Sequence, residues 1–215
     1  RMDTNLVDGL AVMIGMNLAE VNSMSAETEE GGAFYAMHRD YSVTAEVRHP
    51  INNDMIRVVA LTLGNDLADL IYFQSMDGSY YFSEIDSNNF VMLNTETSKA
   101  ETSGDFLKLT FRFAPTFSYP VTAFQDLKVQ VLGAGVMPGS TSIHDAYWVE
   151  NRLEMVGSMV AVSDAVGVIE NGGWIRGGEP FIFQGMKSVY PGTTKSPMSG
   201  THTYTITDEV GNQFV

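Results

Sequence analysis

The chain has 215 residues, of which 44% are hydrophobic, and 26 acidic side chains outnumber 12 basic ones to give a formal net charge of −14. The apolar content is sufficient for a packed core in one large domain or two small ones, and it argues against disorder. A strongly acidic surface repels phosphate backbones and anionic lipid, which argues against nucleic acid or a membrane surface as a partner. The sequence has no cysteine, so disulfides, a thiolate nucleophile and cysteine metal sites are excluded.

The N-terminal segment fits two periods, and both interpretations stay open. An apolar residue recurs at every fourth position, which predicts an amphipathic helix with one apolar stripe: Leu6, Leu10, Ile14 and Leu18. Leu10, Val12 and Ile14 also lie at alternate positions, which predicts a strand, and the residues between them are apolar as well. The strongly apolar part, Leu10 to Leu18, is too short to span a membrane. We expect an assembly arm that is buried against its own domain or against a neighbour. Its apolar residues are Leu6, Leu10, Val12, Ile14 and Leu18.

Two turn dipeptides indicate antiparallel β-structure in the rest of the chain. Asp77-Gly78 lies between the strand-like runs 70–73 and 80–82. Asn171-Gly172 lies between the runs 166–169 and 174–175. Both dipeptides tolerate the positive φ angles of tight hairpins, so each predicts a hairpin between two antiparallel strands.

Further strand-like runs follow at short intervals. The clearest strand is 107–113, where leucine and phenylalanine alternate with lysine, threonine and arginine. Similar runs occupy 42–47, 55–63, 90–93, 127–131, 181–183 and 202–207. The polar segment 94–105 predicts an exposed loop, and the segment 143–156 fits both a helix and a strand.

These runs predict a mainly β fold, an antiparallel β-sandwich of jelly-roll or immunoglobulin-like type with an apolar N-terminal arm and at most one or two short helices. The polar, acidic stretch Asn22 to Gly32 predicts a loop or linker after the arm. We expect an arm and linker over 1–32, a sandwich body over 33–185, and a segment rich in Gly, Pro, Ser and Thr with a terminal strand over 186–215.

The sequence carries no clear motif for catalysis. The four histidines are scattered, and the neighbours His144 and Asp145 would point to opposite faces of a strand. A Gly-x-Ser-x-Gly elbow is absent, and the Gly-rich run 133–139 misses the spacing of a dinucleotide-binding turn. A glycosidase pair of acids on separate strands would leave no local pattern. We predict a protein that is not an enzyme and has no organic cofactor.

Two weaker patterns concern ligands. Oxygen-bearing side chains in the segment 86–89, above all Asp86 and Asn88, are calcium candidates, although their spacing does not fit an EF-hand loop. Aromatic residues at 80–82, Trp148 and Trp174 suit sugar stacking and protein contacts alike, and they suit core packing as well. Calcium and a glycan are therefore the candidate ligands.

Three features predict a self-assembling subunit. An apolar arm precedes a polar linker, the whole chain has only five of the lysines that blunt sheet edges, and the C-terminal strand lies among Gly/Pro/Ser-rich segments. A strand donated to a neighbour satisfies that neighbour's open edge and buries an apolar face. Repeated head-to-tail, such contacts propagate into fibres.

This pattern resembles the self-assembling β subunits of prokaryotic surface fibres, sheaths and pili, a similarity of class that implies no individual site residues. We predict a non-enzymatic, extracellular or cell-surface structural subunit that forms a homopolymer by strand exchange. A carbohydrate- or ligand-binding β-sandwich module is the alternative, and a virion structural protein is a further one. A sequence that begins with Arg1 fits the processed form of a secreted protein.

Overall fold

The computed structural model describes residues 18–120, 123–156, 160–163, 167–169, 181–184, 187–190, 206–207 and 213–214. Apart from two three-residue 3-10 helices, Glu30–Gly32 and Asn53–Met55, the regular elements of these residues are all strands. The strands are β1 (Glu20–Ala26), β2 (Ala33–Tyr35), β3 (Tyr41–Arg48), β4 (Ile56–Leu63), β5 (Ala68–Gln74), β6 (Tyr80–Ile85), β7 (Val91–Leu93), β8 (Lys99–Ser103), β9 (Phe106–Pro115), β10 (Gln125–Gly133), β11 (Gly139–Glu150), β12 (Glu154–Val156), β13 (Val160–Ser163), β14 (Gly167–Ile169), β15 (Phe181–Gln184), β16 (Lys187–Val189), β17 (Ile206–Thr207) and β18 (Gln213–Phe214). The predicted mainly β class is confirmed.

The chain divides into two compact units, residues 1–152 and 153–215. In the first unit, one sheet has the order β1-β3-β9-β7, with β8 also paired to β9, and we call it the first sheet. The second sheet has the order β2-β11-β10-β4-β5-β6. Its β2 runs parallel to β11, so this sheet is mixed, whereas the sequence predicted antiparallel pairing throughout.

The two sheets bury one shared core, as expected for a β-sandwich. In β3, buried and half-buried residues alternate without a break, because successive side chains of a strand point to opposite faces. Rings from the two sheets meet inside: Phe82 lies edge-on to Phe111 with ring centroids 5.5 Å apart, and Phe34 lies edge-on to Phe113 at the same separation. Burial of each such ring contributes roughly 2–3 kcal/mol, so this core is the main source of stability.

The hairpin predicted at Asp77-Gly78 is confirmed, but its turn is longer than the tight two-residue turn that such dipeptides usually form. Gly78 has φ +84° and donates its N–H to the Ser75 carbonyl, while the Ser75 N–H donates to the Ser79 carbonyl. Asp77 has no positive φ, so the loop is a three-residue turn closed by a glycine bulge. The Asn171-Gly172 hairpin lies outside the described residues.

Two segments that the sequence predicted to be loops contain edge strands. β1 lies within the predicted arm and linker and pairs with β3, and β8 lies within the predicted loop 94–105 and pairs with β9. Both strands are polar and have a paired neighbour on one side only, so backbone pairing forms them without a clear apolar alternation. The ambiguous segment 143–156 is extended and contains the end of β11 and all of β12.

In the second unit, β12 pairs with β16, β13 lies between β14 and β15, and β17 pairs with β18. β14 and β15 fall within the predicted runs 166–169 and 181–183 or overlap them, and β17 lies at the end of the predicted run 202–207. Within the described residues, no helix is long and apolar enough to cross a membrane.

Candidate assembly surface

The edges of the two sheets differ in how well they are protected against added strands. β1 has a register shift between Val21 and Ser23, and an irregular edge pairs poorly with another strand. β8 carries the exposed ion pair Lys99–Glu101, with 2.9 Å between its charged atoms. β2 has three residues, all of them buried. Bulges, charges and short length are the usual means of blunting an edge, so these three strands are guarded.

The edge formed by β6 is neither bulged nor short, and its one charged residue, Glu84, accepts the N–H of Leu93 at 2.6 Å. Its sequence, Tyr-Tyr-Phe-Ser-Glu-Ile, contains no basic residue and no proline, and it pairs with β5 over six consecutive residues without a register shift. Ser75 and Ser79 are hydrogen-bonded to each other, and in an antiparallel ladder hydrogen-bonded pairs alternate with pairs that are not. Tyr80, Phe82 and Glu84 therefore belong to the second kind of pair, and their N–H and C=O groups point away from β5. These groups line the open edge, and β5 is the only described strand paired with β6.

Apolar side chains are exposed on both faces of β6. On the inner face, Phe82 is buried and the adjacent Tyr80 is 49% exposed. On the outer face, Tyr81 is 57% exposed and Ile85 is 63% exposed. Two of the three rings of the aromatic run 80–82 are therefore exposed among the described residues, and the third belongs to the core. A strand that added to this edge would therefore meet apolar surface on either side of the sheet.

The turn that precedes β6 is held by its own side chains. The carboxylate of Asp77 accepts hydrogen bonds from the hydroxyls of Ser75 and Ser79 and from the Ser79 N–H. The bonds from the Ser75 and Ser79 hydroxyls and from the Ser79 backbone lower the pKa of Asp77 to about 2. The turn therefore keeps its charge and its geometry at all ordinary pH values. Met76, at its tip, is 91% exposed.

The outer face of the second sheet continues the apolar surface away from β6. Cross-strand registers align one residue from each of four adjacent strands, none of them charged, and we call this set the apolar row: Leu132, Val58, Phe73 and Tyr81. Leu132 and Tyr81 are exposed, and the two residues between them are half-buried. The rings of Phe73 and Tyr81 lie 5.2 Å apart. The row ends at the same strand whose edge is open.

Of the predicted arm residues, only Leu18 lies within the described part of the chain, whereas Leu6, Leu10, Val12 and Ile14 lie outside it. Leu18 is 51% exposed and forms a parallel bridge with Met137, in the loop between β10 and β11. The next residue, Ala19, is buried and donates its N–H to the Met137 carbonyl at 3.0 Å. Leu18 therefore lies beside the β10–β11 loop, whereas β6 is the far edge of the sheet that contains β10 and β11.

The calcium candidates Asp86 and Asn88 lie in a loop that is held by hydrogen bonds to the Asp86 carboxylate. The carboxylate of Asp86 accepts the N–H of Asn88 at 3.0 Å and the N–H of Val91 at 2.7 Å, so both of its oxygens have backbone partners. Among the described residues, no group of three or more acidic, histidine or cysteine side chains could hold a metal ion. Calcium binding by Asp86 and Asn88 stays a prediction.

A histidine–carboxylate pair forms between residues that the sequence did not connect. His144 Nδ1 lies 2.8 Å from Asp126 Oδ2, and the Asp145 N–H donates to the other oxygen at 3.0 Å. The Asp145 N–H and then His144 lower the pKa of Asp126. The pairing of β10 with β11 brings these residues together, so no local pattern could have revealed it. His144 is mostly exposed.

Two further features bear on ligand binding. The predicted stacking residue Trp148 is half-buried and donates its indole N–H to the Gly31 carbonyl at 3.1 Å, while Trp174 lies outside the described residues. A shallow groove of about 410 Å³ lies between the turn after β2 and the strand β7. Its arginine, Arg39, is already paired with Glu27 and Glu29 at 2.8 and 2.7 Å.

Comparison with known proteins shows no family model that matches the sequence and no match among curated proteins. Among solved structures, the fold is similar to a DUF4466 family protein from Parabacteroides merdae, with a TM-score of 0.34 and 8% identity over 68% of this chain and 49% of the other. It is also similar to BcpA, the major pilin subunit of Bacillus cereus, with a TM-score of 0.30 and 10% identity over 91% of this chain and 63% of the pilin. The chain thus spans less than two thirds of either neighbour. Likenesses this low support no argument about its function.

Proposed function

We propose that this protein is a non-enzymatic structural subunit of an extracellular or cell-surface polymer, in which neighbouring copies are joined by strand exchange. In this proposal the arm around residues 6–18 of one copy adds as a strand to the β6 edge of the next copy. The observation that carries the proposal is the open and regular edge of β6, which is six residues long and has no basic residue, in a sandwich whose other described edges are bulged, carry an ion pair or are only three residues long.

The arm and the edge have matching chemistry. An incoming strand would be paired by the free N–H and C=O groups of Tyr80, Phe82 and Glu84, and backbone pairing of this kind supplies affinity in strand addition. The edge is apolar on both faces, as is the arm when it is taken as a strand, with Leu10, Val12 and Ile14 on one side. Each such buried side chain would contribute roughly 1.5–3 kcal/mol, enough in sum to offset ordering of the arm.

The position of the arm favours donation to another copy. Three residues lie between Ile14 and Leu18, and the four steps along the chain reach at most about 14 Å. An added strand beside β6 lies four strand positions from β10, which is roughly 19 Å. Since Leu18 lies beside the β10–β11 loop, Ile14 would not reach the position of an added strand at β6 of its own copy. Contacts between different surfaces of successive copies are head-to-tail and produce filaments.

A substitution of Tyr80, on the inner face of β6, tests this function. Tyr80→Lys places a charge at the open edge, where the half-exposed side chain reaches solvent and the fold is kept. Ser25→Lys is the matched control, since it adds the same charge on the exposed edge strand β1. We expect Tyr80→Lys to raise the concentration needed for assembly at least tenfold, equivalent to about 1.4 kcal/mol, in pelleting assays and electron microscopy.

The control should assemble like the wild type. Polymers that form equally well with Tyr80→Lys would contradict the proposal, and so would a wild-type chain that stays monomeric at high concentration. The exposed rings of Tyr80 and Tyr81 also favour the alternative, a carbohydrate-binding module. In that case the wild type would be a monomer retarded in polysaccharide gels, and Tyr81→Ala would abolish the retardation.

A further inference from the structure

The outer face of the second sheet carries very little charge. Its outward-facing residues alternate with buried ones along β5 and β10, and the strand registers align them in rows, one of which is the apolar row. The middle row is also neutral and consists of Ser140, Gln130, Ala60, Ile71 and Ser83. The charged row consists of Ser142, Lys128, Thr62, Asp69 and Ile85. In a chain with a net charge of −14, a broad face whose two charges cancel indicates contact with another surface.

The two charged residues of this face do not neutralise each other within one copy. Lys128 and Asp69 lie two strands apart, roughly 10 Å, with Thr62 between them. Among the described residues, no ion pair joins Lys128 to Asp69, and the buried Oδ1 atom of Asp69 has no hydrogen-bond partner. A buried carboxylate oxygen without a donor is costly. A donor from a second molecule would remove this cost.

The positions of the two charges are those that a two-fold axis would pair. Lys128 on β10 and Asp69 on β5 flank Thr62 of β4 at the same height along the strands. If a second copy is rotated by 180° about an axis that runs along β4 between the two faces, its β5 lies over β10 of the first copy. Lys128 of each copy then faces Asp69 of the other, which gives two ion pairs. In the apolar row, Leu132 of each copy faces Phe73 of the other.

The shape of the face permits this packing. The outward residues of β4, at the axis, are the small Val58, Ala60 and Thr62, so the two sheets can approach closely there. Packed sheets lie about 10 Å apart, a distance that a lysine and an aspartate span together. Packed sheets usually cross at about 30°, which moves facing residues this near the axis by roughly 4 Å, within the range of a flexible lysine.

The size of the face sets the strength of the contact. Five strands and three rows cover roughly 24 Å by 20 Å, so two copies together would bury about 1,000 Å². This area is at the lower end for specific interfaces, and we expect a dissociation constant on the order of 10–100 μM. Where many copies are held in line, the same contact acts repeatedly and becomes stronger.

We propose that a second copy of this chain docks on the outer face of the second sheet, with a two-fold axis along β4. The contact uses the face of the sheet and not its edge, so one subunit can take part in both this pairing and strand exchange at β6. Pairing itself does not depend on polymers. Where the proposed function holds, it would join neighbouring filaments side by side.

Charge reversal tests the two-fold pairing. All variants are full-length chains that also carry Tyr80→Lys, which is expected to suppress strand exchange, and sedimentation measures the dimer dissociation constant. Lys128→Asp or Asp69→Lys alone places like charges opposite each other twice, so we expect each to weaken dimers about tenfold or more. An equimolar mixture of the two variants restores both ion pairs, so its heterodimers should be about as stable as dimers of the parent. Lys99→Asp, the same reversal on β8, should change nothing.

The outcomes of this test separate the inference from the proposed function. A parent chain that is monomeric at about 1 mM would overturn the inference, and so would single reversals that dimerise as tightly as the parent. A mixture that dimerises no better than its components would also overturn it, because the faces would not meet with this symmetry. Strand exchange is tested separately on chains without Tyr80→Lys. Polymers without face-to-face dimers refute only the inference, and dimers without polymers refute only the proposed function.

A substitution at the axis gives a second test that does not alter Asp69. Ala60→Lys places two positive charges against each other at the centre of the dimer, and its long side chain reaches solvent in the monomer, so the fold is kept. Thr44→Lys is the matched control, since Thr44 is half-buried at the centre of the first sheet's outer face. We expect Ala60→Lys to abolish dimerisation and Thr44→Lys to leave it unchanged. Equal dimerisation of the two variants would contradict the proposal.

Discussion

The outer faces of the two sheets differ sharply, although their inner faces share one core. On the first sheet, Glu46 accepts hydrogen bonds from Asn22 and Ser23, and Arg48 pairs with Glu20 at 2.6 Å. These charged and hydrogen-bonded side chains suit contact with water. The second sheet presents the apolar row instead. The comparison teaches that the outer face of the first sheet is a polar, solvent-exposed surface. The outer face of the second sheet is apolar enough to contact another segment.

The same division applies to the edges of the sheets. The first sheet ends in the bulged β1 on one side and in the three-residue β7 and the charged β8 on the other, and none of these strands favours an added strand. The second sheet ends in β6, which is regular and exposes Tyr80, Tyr81 and Ile85. Both features that favour association, the open edge and the apolar row, therefore belong to one sheet and meet at Tyr81. This coincidence is the reason for the proposal that assembly uses the second sheet.

The largest expected effect on stability concerns the attachment of β6. Phe82 is the one buried side chain of this strand, and its ring packs on Phe111 of the first sheet. We expect Phe82→Ala to lower the free energy of unfolding by about 3–5 kcal/mol, because it leaves a cavity between the sheets. Urea unfolding measures the change, with Ser83→Ala as a nearly silent control. A loss below about 1 kcal/mol would mean that β6 is not held by the core.

A smaller effect is expected at the turn that sets the register of β6. A Cβ at Gly78 would meet no atom within 4 Å, so Gly78→Ala is penalised only by its φ of +84°. The expected loss is about 1–2 kcal/mol, and Gly78→Asn should lose less because asparagine tolerates this conformation. Equal losses for the two variants would show that the turn does not require a left-handed residue.

The smallest expected effect is a pH dependence of stability that comes from Glu27 and Glu46, on the polar side of the first sheet. Hydrogen bonds from Arg39 and Ser42 lower the pKa of Glu27, and those from Asn22 and Ser23 lower the pKa of Glu46. A carboxylate with a lowered pKa stabilises the fold above its unfolded value, near 4.5, and this contribution is lost as the pH falls through the lowered value.

We therefore expect the variant Glu27→Gln with Glu46→Gln to lose slightly less stability than the wild type between pH 7 and pH 3. Glu27 is exposed and Glu46 is half-buried on the outer face of the first sheet, so solvent screens both and the difference should be small. Urea midpoints at the two pH values measure it. An acid-induced loss that is larger in the variant would have the wrong sign and would contradict these assignments.

The sequence predicted the parts of the fold whose signals are local. Alternation in β3, β9 and β10 reflects one buried face, and Asp77-Gly78 marks its hairpin, so these elements could be read residue by residue. The polar edges β1 and β8 were missed, because a strand with one neighbour is formed by backbone pairing more than by side-chain burial. The parallel pairing of β2 with β11 likewise depends on segments far apart in the chain.

The candidate surface was only partly accessible from sequence. The aromatic run 80–82 was identified, since it is contiguous, whereas the arm stays a prediction because all its residues but Leu18 lie outside the described part of the chain. The apolar row could not be found, because Leu132, Val58 and Phe73 become neighbours only through the registers of three strands. The pair of His144 and Asp126 was hidden for the same reason. The position of the open edge depends on the order of all strands in the sheet, so it could not be predicted from any single segment of the sequence.

The central claim is that the arm of one copy pairs with β6 of another. Chains with Leu10→Cys, Val12→Cys or Ile14→Cys are mixed with chains that carry Tyr80→Cys or Glu84→Cys, assembled and then oxidised. Paired strands bring Cα atoms to about 5.5 Å, within the range of a disulfide. The account predicts disulfide-linked heterodimers in at least one mixture and none when the acceptor is Ser25→Cys. Ordered polymers without any arm–β6 disulfide, or with equal linkage to Ser25→Cys, would contradict it.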